Sequence, residues 1–155
     1  MAIWHFRFSL VPVSGVMLIH KQVPASIEAL RGKGRLVSSE EPDYWGGIGT
    51  KVVQNAFGLC LPRRESWGEA ATYGDTEGGE VRIYDDAVEV ALDVRNYDNV
   101  FVKKALDIAV EMNLLIVLTE SGEVIEAGHA EFIAALQRSR AWRFHIDPAG
   151  TLGGH

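Results

Sequence analysis

The chain has 155 residues, 47% hydrophobic and 23% charged, with a formal net charge of −6. That balance fits one globular domain with a sizeable core; it excludes a disordered chain and argues against sequence-independent nucleic-acid binding, which needs a basic stripe. The charge is split: residues 1–64 carry eight Lys/Arg against four Asp/Glu, residues 65–98 carry two against ten, and the remainder is near balance.

Trp4, Phe6, Phe8 and Leu10 alternate with His5, Arg7 and Ser9. A period of two predicts a first strand with one buried face, ended by Pro12. The start lacks the basic leader and unbroken apolar run of a signal peptide, and the apolar run 10–19 is interrupted and too short for a membrane span, so a cytoplasmic protein with no membrane partner is expected. Residues 13–22 leave helix and strand open, and 24–30 suit one or two helical turns. Arg31 to Arg35 reads as a basic flexible turn. Residues 38–49 form a Gly/Pro-rich loop carrying Tyr44 and Trp45, and residues 50–61 again leave helix or strand open. Cys60 is the lone cysteine, so no disulfide within the chain is available, and its apolar neighbours predict a buried thiol.

The second half is more legible. A short strand at 70–73 leads to a glycine-rich turn, and Val81 and Ile83 share the face of the next strand. Asp85 and Asp86 suit a tight turn. Val88, Val90, Leu92 and Val94 alternate with Glu89, Ala91, Asp93 and Arg95, completing an antiparallel meander. Asn96 or Asp98 can cap a helix from Asn99, whose apolar stripe includes Phe101, Ala105, Ile108 and Met112. Residues 114–118 are wholly apolar, as in a central strand. Strand, helix and strand together predict a crossover that sets 88–95 parallel to 114–118, with the two open to being neighbours. A C-terminal helix is expected over 130–138, with Trp142 and Phe144 on an edge strand or extended segment. The fold class is thus α/β of the α+β type: a single mixed sheet with a meander, one crossover and a C-terminal helix. One domain is expected over 1–149, with 1–62 a candidate subregion and 150–155 a flexible tail.

No motif carries chemistry. The five histidines show no metal-ligand spacing, the acidic turn at 75–80 does not fill a calcium loop, and Gly46 to Lys51 lacks the phosphate-loop spacing, so neither metal nor cofactor is expected. Ser66 is outside any nucleophile elbow. What remains is surface recognition. Asp75, Glu77, Glu80, Asp85, Glu89 and Asp93, with Tyr84 as an aromatic anchor, are expected on one meander as an acidic face for a basic protein partner. The rival reading is a ligand pocket or enzyme site between the Tyr44/Trp45 loop and the sheet, with His5, Arg7 and Asp43 as its polar groups. A third is a homodimer through a strand edge or the Trp142/Phe144 segment, against a monomer.

Several segments also carry a resemblance. Glu41-Pro-Asp-Tyr-Trp-Gly46, Leu61-Pro-Arg-Arg-Glu-Ser-Trp67 and the stretch from Tyr73 to Ile83 resemble a bacterial family of small, mostly uncharacterised proteins. So do the strand ending at Asp93-Val-Arg95, the helix 99–112, the strand 114–118, Gly122-Glu-Val-Ile-Glu126 and Ala141-Trp-Arg-Phe144. The family's relatives resemble immunity partners of secreted toxins. The resemblance implies stoichiometric inhibition of a toxin and brings no catalytic residue set; the acidic contact residues above come from charge and periodicity.

Overall fold

Phe6, Phe8 and Leu10 place strand β1 (His5–Pro12) at the heart of a seven-stranded sheet in the computed structural model, which describes residues 3–32, 42–65, 68–75 and 77–153. The other strands are β2 (Arg63–Arg64), β3 (Ala71–Asp75), β4 (Gly79–Ile83), β5 (Val88–Asp93), β6 (Leu114–Leu118) and β7 (Val124–Ile125). Their order is β2-β3-β4-β5-β1-β6-β7, and every neighbouring pair is antiparallel. The fold is α/β, with the expected meander and crossover. β5 and β6 do run the same way, since both are antiparallel to β1, but they are not neighbours: β1 lies between them.

Helices α1 (Val13–His20), α2 (Lys51–Cys60), α3 (Asn99–Glu111), α4 (His129–Arg138), α5 (Arg140–Ile146) and α6 (Pro148–Gly153) surround the sheet. The segments left open at 13–22 and 50–61 are therefore largely helical, and 24–30 holds one 3-10 turn at Glu28–Leu30. Asp98, not Asn96, caps α3, its carboxylate accepting from the Val100 and Phe101 amides. Asn113 then takes the left-handed region (φ 56°), which Asn tolerates better than most side chains, and turns the chain into β6.

The C-terminal expectations need correction. Trp142 and Phe144 lie on α5, not on a strand. Their spacing of two imitates alternation, but Ser139 caps the helix by accepting from the Trp142 amide, and its hydroxyl donates to the Leu136 carbonyl at the end of α4. The tail expected over 150–155 is helical as far as Gly153. Cys60 is half-buried, not buried, and burial pushes its thiol pKa up, with Lys104 opposing.

Two apolar clusters explain the layering. On one face, Phe6, Phe8, Leu10, Val81, Val90, Leu92 and Ile116 meet Phe57 of α2, Phe101 and Ala105 of α3, Phe132 of α4 and Ala141 of α5. Phe132 sits edge-on to Phe6 and Phe8, with centroids 5.7 and 5.6 Å away. On the other face, Val11, Leu115 and Val117 pack under Val16 of α1, Ile27, Leu30 and Tyr44. Among the described residues that second layer covers only the β6 side. β6 is consequently buried on both faces, whereas β5 alternates buried Val88, Val90 and Leu92 with half-buried Glu89, Ala91 and Asp93.

Candidate functional site

Strand parity and register assemble the site. His5 and Arg7 of β1 lie opposite Asp93 and Ala91 of β5, and Glu80 and Arg82 of β4 lie opposite Ala91 and Glu89. All point away from the main core, onto the half of the second face that no described helix covers. Arg64 of β2 joins them across β3.

The charges interleave. Glu80 is paired with Arg64 at 2.9 Å and with Arg82 at 2.8 Å. Asp93 Oδ1 accepts from the Arg95 amide and Nε, each at 3.0 Å, and Oδ2 from Nη2 at 2.7 Å. The Arg95 guanidinium also lies 3.9 Å from the centroid of the Trp4 ring, a cation–π contact. Arg95's hydrogen bond is the main reason that Asp93 titrates below the usual carboxylate range, against an opposing effect of burial. His5 is shifted down, chiefly because burial disfavours its charged form, although Asp93 partly opposes this. Its Nδ1 and the Arg7 Nε are buried without a hydrogen-bond partner among the described residues.

Three depressions meet at Arg7. The smallest, ≈ 20 Å³, lies towards Glu89 and Thr119, and a second of ≈ 170 Å³ lies among His5, Arg64, Glu77 and Asp93. The largest, ≈ 460 Å³, runs past the end of β6 to the elbow between α4 and α5.

The residues expected to form an acidic face fall along β4 and β5 and their turns. Glu80, Glu89 and Asp93 share the open half. Glu77 is at the β3–β4 turn, while Tyr84 and Asp85 are at the β4–β5 turn. The Tyr84 amide donates to the Ala87 carbonyl, and its own carbonyl accepts from the Thr50 hydroxyl. Asp75 is placed by its backbone in β3. Ser66, Trp67, Glu41, Thr76 and most of the basic turn at 31–35 lie outside the described residues.

The expected pocket of His5, Arg7, Asp43, Tyr44 and Trp45 does not assemble. His5 and Arg7 lie at the start of β1 and line the open depressions, whereas Tyr44 packs under α1 with Val11, towards the other end of the strand, and neither aromatic lines those depressions. Both aromatics are buried. Trp45 Nε1 donates to the Leu10 carbonyl at 3.2 Å, and the Tyr44 hydroxyl and His20 Nε2 are hydrogen-bonded at 2.7 Å with the rings stacked. Asp43 accepts from the Trp45 amide and so fixes its own loop.

Sequence reading missed Arg64, Arg82, Thr119 and Arg140. Arg82 shares the parity of Glu80, which was a usable signal; the other three reach the site only through pairing of distant segments. Among the described residues no group of three His, Cys, Asp or Glu side chains is placed to hold a metal, and no helix is long and apolar enough to cross a membrane. Comparison with known proteins finds no match to a family model, to a curated protein or to a solved structure.

Proposed function

We propose that the protein is a non-enzymatic binding module that takes a basic protein partner on the open half of its sheet, as an immunity-type inhibitor would in the bacterial cytoplasm. The observation that carries this reading is the half-covered second face: one half is sealed by α1 and Tyr44, while the other presents Glu80, Glu89 and Asp93 among arginines. Two levels of electrostatics then act. The acidic excess of residues 65–98, ten Asp/Glu against two Lys/Arg, draws a basic partner to the meander as a whole, since on the open half itself Glu80, Glu89 and Asp93 are interleaved with arginines. At contact distance, the acid–arginine mosaic sets register, and arginine is a residue type that recurs among interface anchors. The resemblance to toxin immunity partners fits the same role and rests on the quoted segments alone.

Both sheet edges speak against self-pairing as the main use. The outer strands β2 and β7 have two residues each, β2 being Arg63–Arg64, and β7 is flanked by the 25–27 segment through the Ala25 carbonyl and a bridge at Ser26.

The test is comparative capture from lysate of the source organism with the wild-type chain and with Glu77→Lys/Glu89→Lys. Asp93 is left intact because it holds the Arg95 backbone. A one-to-one basic partner retained by the wild type, released by salt and lost from the folded variant supports the reading. Equal capture by the variant rejects this face as the binding surface.

A further inference from the structure

The largest of the three depressions at Arg7 lies where one strand outruns its neighbour. β1 pairs with β6 from Pro12 to Phe8, and the Thr119 amide donates to the Arg7 carbonyl as the last link. On the other side, the Val94 amide donates to the Trp4 carbonyl. Backbone groups in an antiparallel ladder alternate between neighbours, so those of His5 point to the β6 side. The chain has already turned away there, and the gap is closed instead by Glu120 and by the elbow at Ser139, Arg140 and Ala141.

The resulting pocket of ≈ 460 Å³ falls within the range of roughly 300–1,000 Å³ common for small-molecule sites. Ile3, Phe6 and Ala141 supply apolar wall, and His5, Arg7 and Arg140 supply donors. Arg7 is the unusual member. Its Nε is buried with no acceptor among the described residues, and a buried donor left unpaired calls for a physical explanation, most of all on a charged group. Of the three carboxylates that share its second depression, Glu80 is taken by Arg64 and Arg82 and Asp93 by Arg95, while Glu77 stands at the β3–β4 turn. His5 Nδ1 is likewise buried and unpartnered among the described residues.

We infer that this pocket binds a small monocarboxylate with an apolar body, its carboxylate on the Arg7 guanidinium and its body against Ile3, Phe6 and Ala141. A guanidinium presents a planar fork matched to a carboxylate. A doubly charged phosphate fits less well, because the Glu120 carboxylate stands on the rim, where its Oε2 accepts from the Arg140 amide at 3.3 Å. The pocket shares His5 and Arg7 with the open face, but it can fail or hold apart from partner capture because its test needs only the purified chain and small probes.

The experiment is titration of the ¹⁵N-labelled chain with hexanoate and benzoate, with hexanamide and inorganic phosphate as comparison probes. The carboxylates are expected to shift the amides of His5, Thr119, Arg140 and Ala141 saturably, with hexanamide and phosphate at least about tenfold weaker. Arg7→Met, which keeps an apolar stem, should lose at least about tenfold in affinity while Arg7→Lys keeps part of it. Phosphate binding as well as hexanoate overturns the monocarboxylate assignment. Hexanamide binding as well overturns the role of the guanidinium, as does an Arg7→Met chain that folds and binds like wild type. Shifts centred elsewhere, or none with any carboxylate at millimolar concentration, overturn the site; these wild-type spectra decide the matter even if the Arg7 variants fail to fold.

Discussion

β1 passes through both halves of the sheet's second face, and the halves treat its side chains in opposite ways. At one end Val11 lies under α1 beside Leu115 and Val117. At the other, Arg7 and His5 line open depressions beside charged neighbours. Strand periodicity is the same throughout, so it does not decide exposure; the layer laid on top does. The difference gives packing to one half and leaves the other to recognition only on the proposed reading, and each prediction below is a way to break or sharpen that division.

The sharpest test places the same side chain in both halves. Val117→Asp buries a carboxylate in the sealed half, where the native side chain is fully buried, and should cost on the order of 4 kcal/mol in urea unfolding. Ala91→Asp, on the open half, should stay within about 0.5–1 kcal/mol of wild type. Equal costs would erase the distinction. A smaller loss, about 1–3 kcal/mol, is expected for Gly15→Ala, because a Cβ there collides with the Tyr44 backbone carbonyl rather than with a yielding side chain. If thermal unfolding shows no loss, Tyr44 is not held tightly against α1, and the seal is looser than its burial implies.

Much of this division could be read in advance, strand by strand. The parity of β1 and β5, the apolar run of β6, the α3 stripe and its Asp98 cap all lie in short windows of sequence. The order of the strands does not. β1 pairs with residues 88–93 on one side and 114–118 on the other, and nothing in its alternation says that it slips between the strands of the crossover. The site suffered from the same non-locality. His5 with Arg7, Glu80 with Arg82 and Glu89 with Asp93 each share a parity, but only the inserted β1 and the pairing from β2 to β5 bring Arg64, Arg7 and Asp93 into one region. Tyr44 and Trp45 misled for a different reason: glycine and proline around them read as an exposed loop, while the rings themselves fill both cores.

Asp93→Asn probes the chemistry of the open half with a smaller effect. Asp93 titrates below its ordinary value of 3.8 when folded, so its contribution to stability is present above that value and is lost as pH falls through the folded pKa. The gap in stability between wild type and variant should therefore be steady near neutrality and close in acid. His5 reports the same change locally. Its pKa already lies below 6.5 through burial, and removing the Asp93 charge that partly offsets this should lower it further in an NMR titration. An unchanged His5 pKa would mean that Arg95 neutralises Asp93 so fully that His5 does not sense it.

Glu80→Gln should do least to the fold and most to define the face. Glu80 links Arg64 and Arg82, yet about a fifth of its side chain is still exposed, at 21%, and Arg82 is 44% exposed. Ion pairs in such settings contribute about 1 kcal/mol or less each, so chemical denaturation should barely move. Charge changes more: two arginines lose their shared carboxylate, and the open half gains positive potential next to Arg7. On the partner-binding reading this weakens capture of a basic protein while stability holds, because the mosaic serves contact and not folding. A large loss of stability would instead make the Arg64–Glu80–Arg82 cluster a clamp that fastens β2 to the meander, and recognition would then have to rest on Glu77, Glu89 and the β4–β5 turn alone.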